Sequence, residues 1–301
     1  MFKSIYKLST ALSAIVITLS TTAYAQDLEN VEITTIPVNE NIYMLQGEGG
    51  NIGVSIGDDG VFLIDDQFAP LTEKIKEAIA EISDEQIRFL INTHWHFDHT
   101  GGNENLGDAG VVIIAHNEVR QRMSVDQFIE AFQLEIEASP PSALPVITFN
   151  DEVTFHINNE TIKVRHLENA HTDGDSIIHF ENANVIHTGD VYFNGFYPFI
   201  DNSSEGSIDG MIQAVLDILL LSDQNTQIIP GHGDLSNREE LSVYLDMLIS
   251  VRQIVQDGID DGLSLEEFLA TNPTTELDEI WGNGFLSPDQ FLSIVYQDLS
   301  E

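Results

Sequence analysis

Four side chains able to bind a metal fall within six positions of this chain. They are His94, His96, Asp98 and His99, in the run Thr93-His-Trp-His-Phe-Asp-His-Thr-Gly-Gly102. An apolar stretch over residues 87–92 precedes them and reads as a buried strand. In extended backbone, residues two apart face the same way, so His94 and His96 can reach one ion together. The turn that follows can aim Asp98 and His99 at a neighbouring ion. Imidazole and carboxylate donors without thiolate suit zinc, with iron and manganese as rivals. A structural zinc site closes with four protein ligands, often thiolates, and this chain has no cysteine. The donor set therefore predicts an open, catalytic site. Two ions need more ligands, and three candidates sit where strand patterns end. His171 lies in Asn169-Ala-His-Thr-Asp-Gly-Asp175, Asp190 in His187-Thr-Gly-Asp190, and His232 in Pro230-Gly-His-Gly233. Strand ends converge on a sheet edge, and the flanking glycines let backbone approach closely.

These residues need a scaffold to hold them, and the hydrophobic pattern supplies one. Strand-like segments appear at residues 41–45, 52–56 and 61–64, punctuated by Gly49-Gly50 and Asp58-Asp59-Gly60 turns. A helix follows Pro70, with Ile75, Ile79 and Ile82 on one face. The strand from Ile87, the histidine turn, a short helix and a strand at 111–115 come next. Residues 117–145 read as helix with a Pro-rich exit, Pro140-Pro141 to Pro145, either roofing the site or packing on it. The second half carries strands at 153–157, 162–167, 177–180 and 185–187, a helix at 208–221 and a strand at 227–229. Three later helices carry capping-box signals: Ser236 with Glu239, Ser264 with Glu267, and Ser287 with Gln290, the last with Pro288 at the first helical position. Alternating strands and helices predict an α/β or α+β class, economically one domain of two strand–helix halves. The acidic turns at 201–209 and 257–261 match no calcium loop and read as solvated. His156, His166 and His179 read as surface or satisfied core residues, and His116 and His187 receive no ligand role. Tyr192, Phe193, Phe196, Tyr197 and Phe199 either line an apolar pocket or belong to the core.

His94-x-His96-x-Asp98-His99, followed by His171, Asp190 and His232 in that order and rough spacing, resembles the metallo-β-lactamase superfamily over essentially the whole chain. The resemblance implies an α+β fold, the four-layer αββα sandwich, with a dinuclear site at one edge between the sheets. It implies two zinc ions per chain. His94, His96 and His171 would hold the first and Asp98, His99 and His232 the second, with Asp190 bridging both as in glyoxalase II-like members. Asp65, at the end of the 61–64 strand, matches a family aspartate that steadies the ligands from behind. Two zincs about 3.5–4 Å apart lower the pKa of a shared water toward about 7, giving a metal-bound hydroxide that attacks a carbonyl. Asp98 would orient that nucleophile and shuttle its proton. The implied reaction is hydrolysis of a small-molecule ester, lactone, amide or lactam.

Substrate is less legible. Exported β-lactamases of this superfamily commonly present a cation to the drug's carboxylate, and residues 191–200 contain no Lys or Arg. Weak or promiscuous β-lactam hydrolysis is therefore expected, with a lactonase or esterase as the alternative. An iron oxidoreductase akin to persulfide dioxygenases or flavodiiron proteins is a further alternative. The filled dizinc set and the absence of a flavin domain count against it. A metal-bound protein without turnover is the third reading.

Composition narrows the setting. Lys3 and Lys7, an apolar run over residues 8–19 and Ala23-Tyr24-Ala25 read as a cleavable signal peptide over residues 1–25, cut after Ala25. Residues 26–301 would then form a single domain, periplasmic or secreted, with no membrane span once the leader is gone. Removing Lys3 and Lys7 from 11 basic residues leaves 9 against 50 acidic ones, a net charge of −41. Such a surface repels nucleic acid and anionic membranes. That argues against the superfamily's nucleases, and export argues against a cytosolic thioester as substrate.

Overall fold

Strand alternation builds this molecule from two sheets placed face to face. The computed structural model describes residues 28–300, so the leader expected over residues 1–25 lies outside the described residues. Strands β1 (Thr34–Pro37), β2 (Ile42–Gln46), β3 (Ile52–Ser55) and β4 (Val61–Ile64) pair antiparallel. Strands β5 (Ile87–Ile91) and β6 (Val112–His116) extend them in parallel. Strands β7 (Gln127–Ile129) and β8 (Leu134–Ile136) pair with each other as a separate hairpin. Then β9 (Ile147–Phe149) returns beside β6 and completes a seven-stranded sheet. The second sheet has six strands in chain order. Strands β10 (Glu152–Ile157), β11 (Glu160–His166), β12 (Ser176–Phe180) and β13 (Val185–His187) pair antiparallel, β14 (Gln227–Ile229) lies parallel to β13, and β15 (Ser236–Asn237) closes the edge.

Side-chain period two explains the four layers. In β4, Val61 and Leu63 pack with Leu71, Ile75 and Ile79 on one outer layer. Phe62 and Ile64, pointing the other way, meet Ile162, Val164, Ile178 and Ile229 between the sheets. In β14 the same alternation sends Ile229 between the sheets and Ile228 outward. Ile228 there joins Met211, Val215, Leu241, Tyr244 and Phe291 under the second helical layer. Each such side chain contributes about 1.5–3 kcal/mol by leaving water, so a register slip in either sheet is strongly disfavoured. The architecture is the αββα sandwich.

On the first face α1 (Thr72–Ala80) and α3 (Asn103–Asp108) pack through Ile75, Ile79 and Leu106, while the short turn α2 (Phe97–Thr100) follows β5, and α4 (Asn117–Met123), after β6, buries Val119 and Met123 in the other core cluster. On the second lie α5 (Ile208–Leu221), α6 (Arg238–Asp260), α7 (Leu265–Leu269), α8 (Thr275–Trp281) and α9 (Pro288–Ser300). Among the described residues no helix is long and apolar enough to cross a membrane.

Two expectations need correction. Residues 117–145 are α-helical only as far as Met123; beyond it, apart from 3-10 turns at Glu130–Phe132 and Pro141–Ala143, Gln127-Phe128-Ile129 and Leu134-Glu135-Ile136 pair as strands. Ile129 is buried while Phe128 and Glu135 face solvent, an alternation that belongs to a strand. The capping box expected at Ser236 also fails, because Ser236 is already in β15. Asn237 caps α6 instead, accepting from the backbone N–H groups of Glu239 and Glu240. The boxes at Ser264/Glu267 and Ser287/Gln290 form as expected.

His116 ends β6 and stacks flat on His166, with ring centroids 3.8 Å apart. Burial, reinforced by His166, pushes the His116 imidazole down to about 4 from 6.5. Between those values the unfolded chain binds the proton that the folded chain refuses, so stability is full above pH 6.5 and falls as pH drops toward about 4. His116→Asn keeps a short capping acceptor without the titration. Thermal midpoints of the two proteins should diverge at neutral pH and converge on acidification. Parallel curves over this range would refute the assignment.

Candidate metal centre

The C-terminal ends of the parallel strands β4, β5, β13 and β14 meet at one edge of the sandwich, and the chemistry-bearing residues leave from there. Asp65 follows β4, His94 and His96 follow β5, Asp190 follows β13 and His232 follows β14. His171 comes from the loop between β11 and β12. Asp98 and His99 lie on α2, the short helical turn that His96 opens. All seven expected ligands come together. His94, His96 and His171 form one group whose donor atoms lie within 4.8 Å of one another. Asp98, His99 and His232 form a second, and Asp190 joins His94 and His99 in a third. Asp190 Oδ1 is 3.0 Å from His99 Nε2, while its Oδ2 is 3.3 Å from His232 Nε2 and 3.6 Å from His171 Nε2.

Each buried imidazole uses one nitrogen to fix the other. His96 Nε2 donates to Asp201 Oδ2 at 3.0 Å, and His171 Nδ1 donates to the Phe199 carbonyl at 2.7 Å. His99 Nδ1 donates to Asp65 Oδ2 at 2.8 Å. His94 Nδ1 lies 3.0 Å from Thr93 Oγ1, whose own hydroxyl donates to Asp65 Oδ2. These partners set the tautomers, leaving the second nitrogen of each ring as a lone pair turned inward. The inward nitrogens of His96 and His171 are 2.9 Å apart, and those of His99 and His232 are 3.3 Å apart. Facing lone pairs at such distances repel unless a proton or cation lies between them. His94 Nε2 and Asp190 Oδ1 are buried with no hydrogen-bond partner at all. The donor set thus fits divalent ions, typically zinc.

Protonation behaviour agrees. Burial works against ionising Asp98 and Asp190, yet the surrounding imidazoles outweigh it. His99 and His232 hold Asp98 down to about 2, and His232, His99 and His94 hold Asp190 well below the usual carboxylate range. Burial likewise opposes charge on His232, but Asp190 lifts it to about 9. His171, desolvated, falls to about 4. Protons here stand in for the positive charge a metal would bring.

Two glycines are required by close approach. A Cβ on Gly50 would sit 2.0 Å from the His99 ring, and one on Gly231 would sit 2.1 Å from Asp190 Oδ1. Asn51 holds both segments together. Its backbone N–H donates to the Gly231 carbonyl at 2.7 Å and its carboxamide to the Pro230 carbonyl at 2.9 Å.

Asp65 stands where expected, accepting from Thr93 N, Thr93 Oγ1 and His99. Asp201 is a correction, because the 201–209 segment read as a solvated turn. It is 1% exposed and accepts from His96, Ser204 Oγ and Ser203 Oγ. Its neighbours, an acidic and Ser-rich stretch, gave no local signal of this role. Asp175 was also missed; it accepts from the backbone N–H groups of His171 and Thr172. Asp201→Ala should weaken metal affinity about 10- to 100-fold by freeing the His96 ring, a change readable by chelator competition. Unchanged competition would remove Asp201 from the centre.

A cavity of about 390 Å³ opens over the centre, with His96, Asp98, Asp190 and His232 on its floor. The hairpin β7–β8 contributes Ile129, Phe132 and Leu134 to its wall, so the segment after α4 does roof the site. Of the aromatic cluster after Asp190, Phe193 and Phe199 line this cavity. Tyr192 and Tyr197 instead belong to the helical-side core, their hydroxyls bound to Ser236 and Asp278.

Several known proteins are similar to this chain. Hydroxyacylglutathione hydrolase of Pelagibacter ubique is 27% identical over 214 residues, covering 70% of this chain and 79% of that protein. The protein of the same name from a Polaromonas species is 25% identical over 170 residues, 56% of this chain and 57% of its own length. Among solved structures, a metallo-beta-lactamase from Pontibacter korlensis superposes with a TM-score of 0.58 at 16% identity, covering 72% of this chain and 99% of that one. The sequence pattern of the metallo-beta-lactamase superfamily matches residues 36–232. With its two sheets, their helical layers and the histidine–aspartate centre at their edge, the chain belongs to the metallo-beta-lactamase superfamily, as a metal-dependent hydrolase.

Proposed function

We propose that residues 26–301 form one exported domain, periplasmic or secreted, that acts as a dinuclear zinc hydrolase on a carbonyl C–O or C–N bond. His94, His96 and His171 would hold one ion, Asp98, His99 and His232 the other, and Asp190 both. The observation that carries this reading is the convergence of inward-turned donor atoms, with His94 Nε2 and Asp190 Oδ1 buried and unpartnered and the His96 and His171 nitrogens only 2.9 Å apart. When bound, zinc supplies Lewis acidity that polarises a carbonyl and makes water nucleophilic at neutral pH. The chain's own residues do the rest. Asp98 lies on the cavity floor beside His232, at 3.3 Å, where its carboxylate can take a proton from the attacking water. The water oxygen bonds to the carbonyl carbon, the C–O or C–N bond breaks, and the leaving atom receives a proton.

The curated relatives are named for hydroxyacylglutathione hydrolysis, so a glutathione thioester belongs in the substrate panel beside lactones, esters and nitrocefin. Weak β-lactam turnover is expected. Metal content of the purified protein, measured on the sample used for that panel, is the deciding experiment. About two zincs per chain with chelator-sensitive turnover supports the proposal. Iron in their place, or no turnover of any carbonyl substrate, overturns it.

A further inference from the structure

The cavity over the centre carries information about substrate that the centre itself does not. Its walls are aromatic: Phe68, Phe97, Phe132, Phe193, Phe199 and Phe285. Four of them form a continuous surface, with Phe132 packed on Phe199 at 4.8 Å and Phe285 within 6.5 Å of both Phe132 and Phe193, and Phe68 packs on Phe97 at 5.8 Å. Phe199 and Phe193 in turn stack on His96 and His232. Apolar surface therefore runs down to the reacting position. Phe97, Phe132 and Phe285 remain partly exposed at the mouth, which is what a site that takes apolar groups from solution requires.

Away from the metal centre, charge on the walls of this cavity has one sign. Apart from the floor histidines its ionisable residues are Asp98, Asp190 and Glu48, and no lysine or arginine lines it. The described cations are engaged elsewhere. Arg122 forks onto Asp173, Lys163 pairs with Glu181, Arg252 pairs with Asp209, and Arg120 donates to the Pro145 carbonyl. A substrate carboxylate entering here would lose its water and gain no counter-charge from a side chain, a costly exchange. It would also approach through the field of a chain with formal net charge −39.

We propose that this site selects neutral carbonyl substrates bearing an apolar chain or ring, and discriminates against substrates carrying a carboxylate on that part. The proposal rests on the hydrolase reading above and names its substrate class. A neutral ester or lactone fits, and a carboxylate-bearing lactam fits poorly.

The test uses the metal-loaded protein as purified. Along 4-nitrophenyl acetate, butyrate and hexanoate, kcat/KM should rise about two- to fourfold per methylene until the cavity fills. The 4-nitrophenyl monoester of adipate, which ends in a carboxylate, should fall below the hexanoate by roughly tenfold or more. Calorimetric binding of N-hexylacetamide against 6-acetamidohexanoate gives a readout independent of turnover, and the neutral amide should bind more tightly. Phe132→Ala should flatten the chain-length series, and Glu48→Lys should narrow the gap between neutral and anionic ligands. Hydrolysis with no chain-length gain, or an anion that binds as well as its neutral partner, overturns this proposal and leaves the hydrolase reading standing. Preferential binding of the neutral amide without hydrolysis of any ester supports the selectivity and overturns the hydrolase reading instead.

Discussion

Asp190→Asn is expected to leave no more than one firmly held metal per chain and to cut hydrolysis by roughly a hundredfold or more, beyond the usual cost of losing a supporting partner. The substitution keeps size and shape, so the cavity floor stays filled. What it removes is a charge faced by four imidazoles: His99 at 3.0 Å, His232 at 3.3 Å, His171 at 3.6 Å and His94 at 3.9 Å. Asp190 is the one carboxylate here that reaches both histidine groups. The remaining donors can still gather one ion at His94, His96 and His171, but nothing with negative charge then ties the two positions together. Metal analysis after dialysis, beside kcat/KM on a neutral ester, checks this. Two retained metals with activity near the parent's would mean that Asp190 does not bridge.

Much of this centre was legible because its parts lie where local pattern is strong. His94, His96, Asp98 and His99 follow an apolar strand directly, and His171, Asp190 and His232 each sit beside a glycine or a turn at a strand end. The role of Asp65, which closes the run Val61–Ile64, came with the family resemblance. The two sheets could be read from period-two runs, and the αββα layering came with the family resemblance. Asp201 could not be read this way. Its role depends on a hydrogen bond to a residue 105 positions earlier, and locally it begins an acidic, Ser-rich stretch that looks solvated.

The hairpin after α4 was misread for a different reason. Asn117–Met123 is a real helix with a capped start, and its pattern was extended past its end at Ser124. The strands that follow are three residues each, too short for periodicity to separate from a helix. Their position over the centre depends on tertiary contacts of Ile129 and Phe132. The split within the aromatic cluster is similar. Tyr192 and Tyr197 turn into the helical-side core, where Ser236 and Asp278 bind their hydroxyls, whereas Phe193 and Phe199 need no polar partner and can face the cavity. The cavity's apolar lining therefore became readable only in three dimensions, while the histidine–aspartate centre was readable in one.

Asp98→Asn separates holding a metal from moving a proton. Burial opposes charge on Asp98, but His99 and His232 keep its carboxyl at about 2, so it is ionised across any practical assay range. A depressed carboxyl loses its stabilising charge only as pH falls through that low value, so Asp98 itself contributes no acid limb between pH 5 and 9. Loss of a proton acceptor at this position should lower kcat about 10²- to 10⁴-fold. The factor should be the same throughout that range, because the group lost was fully ionised everywhere in it. Asn keeps one oxygen that can face a metal but cannot take a proton at these pH values. Excess zinc should therefore refill the position beside His99 and His232 without restoring kcat. Full recovery with zinc would assign Asp98 to metal retention alone and leave the proton without an acceptor among the cavity-floor carboxylates, since Asp190 is turned toward four imidazoles. A uniform, zinc-resistant loss places proton transfer at Asp98, on the one carboxylate that borders both the histidine centre and the apolar cavity while remaining partly open to solvent at 23% exposure.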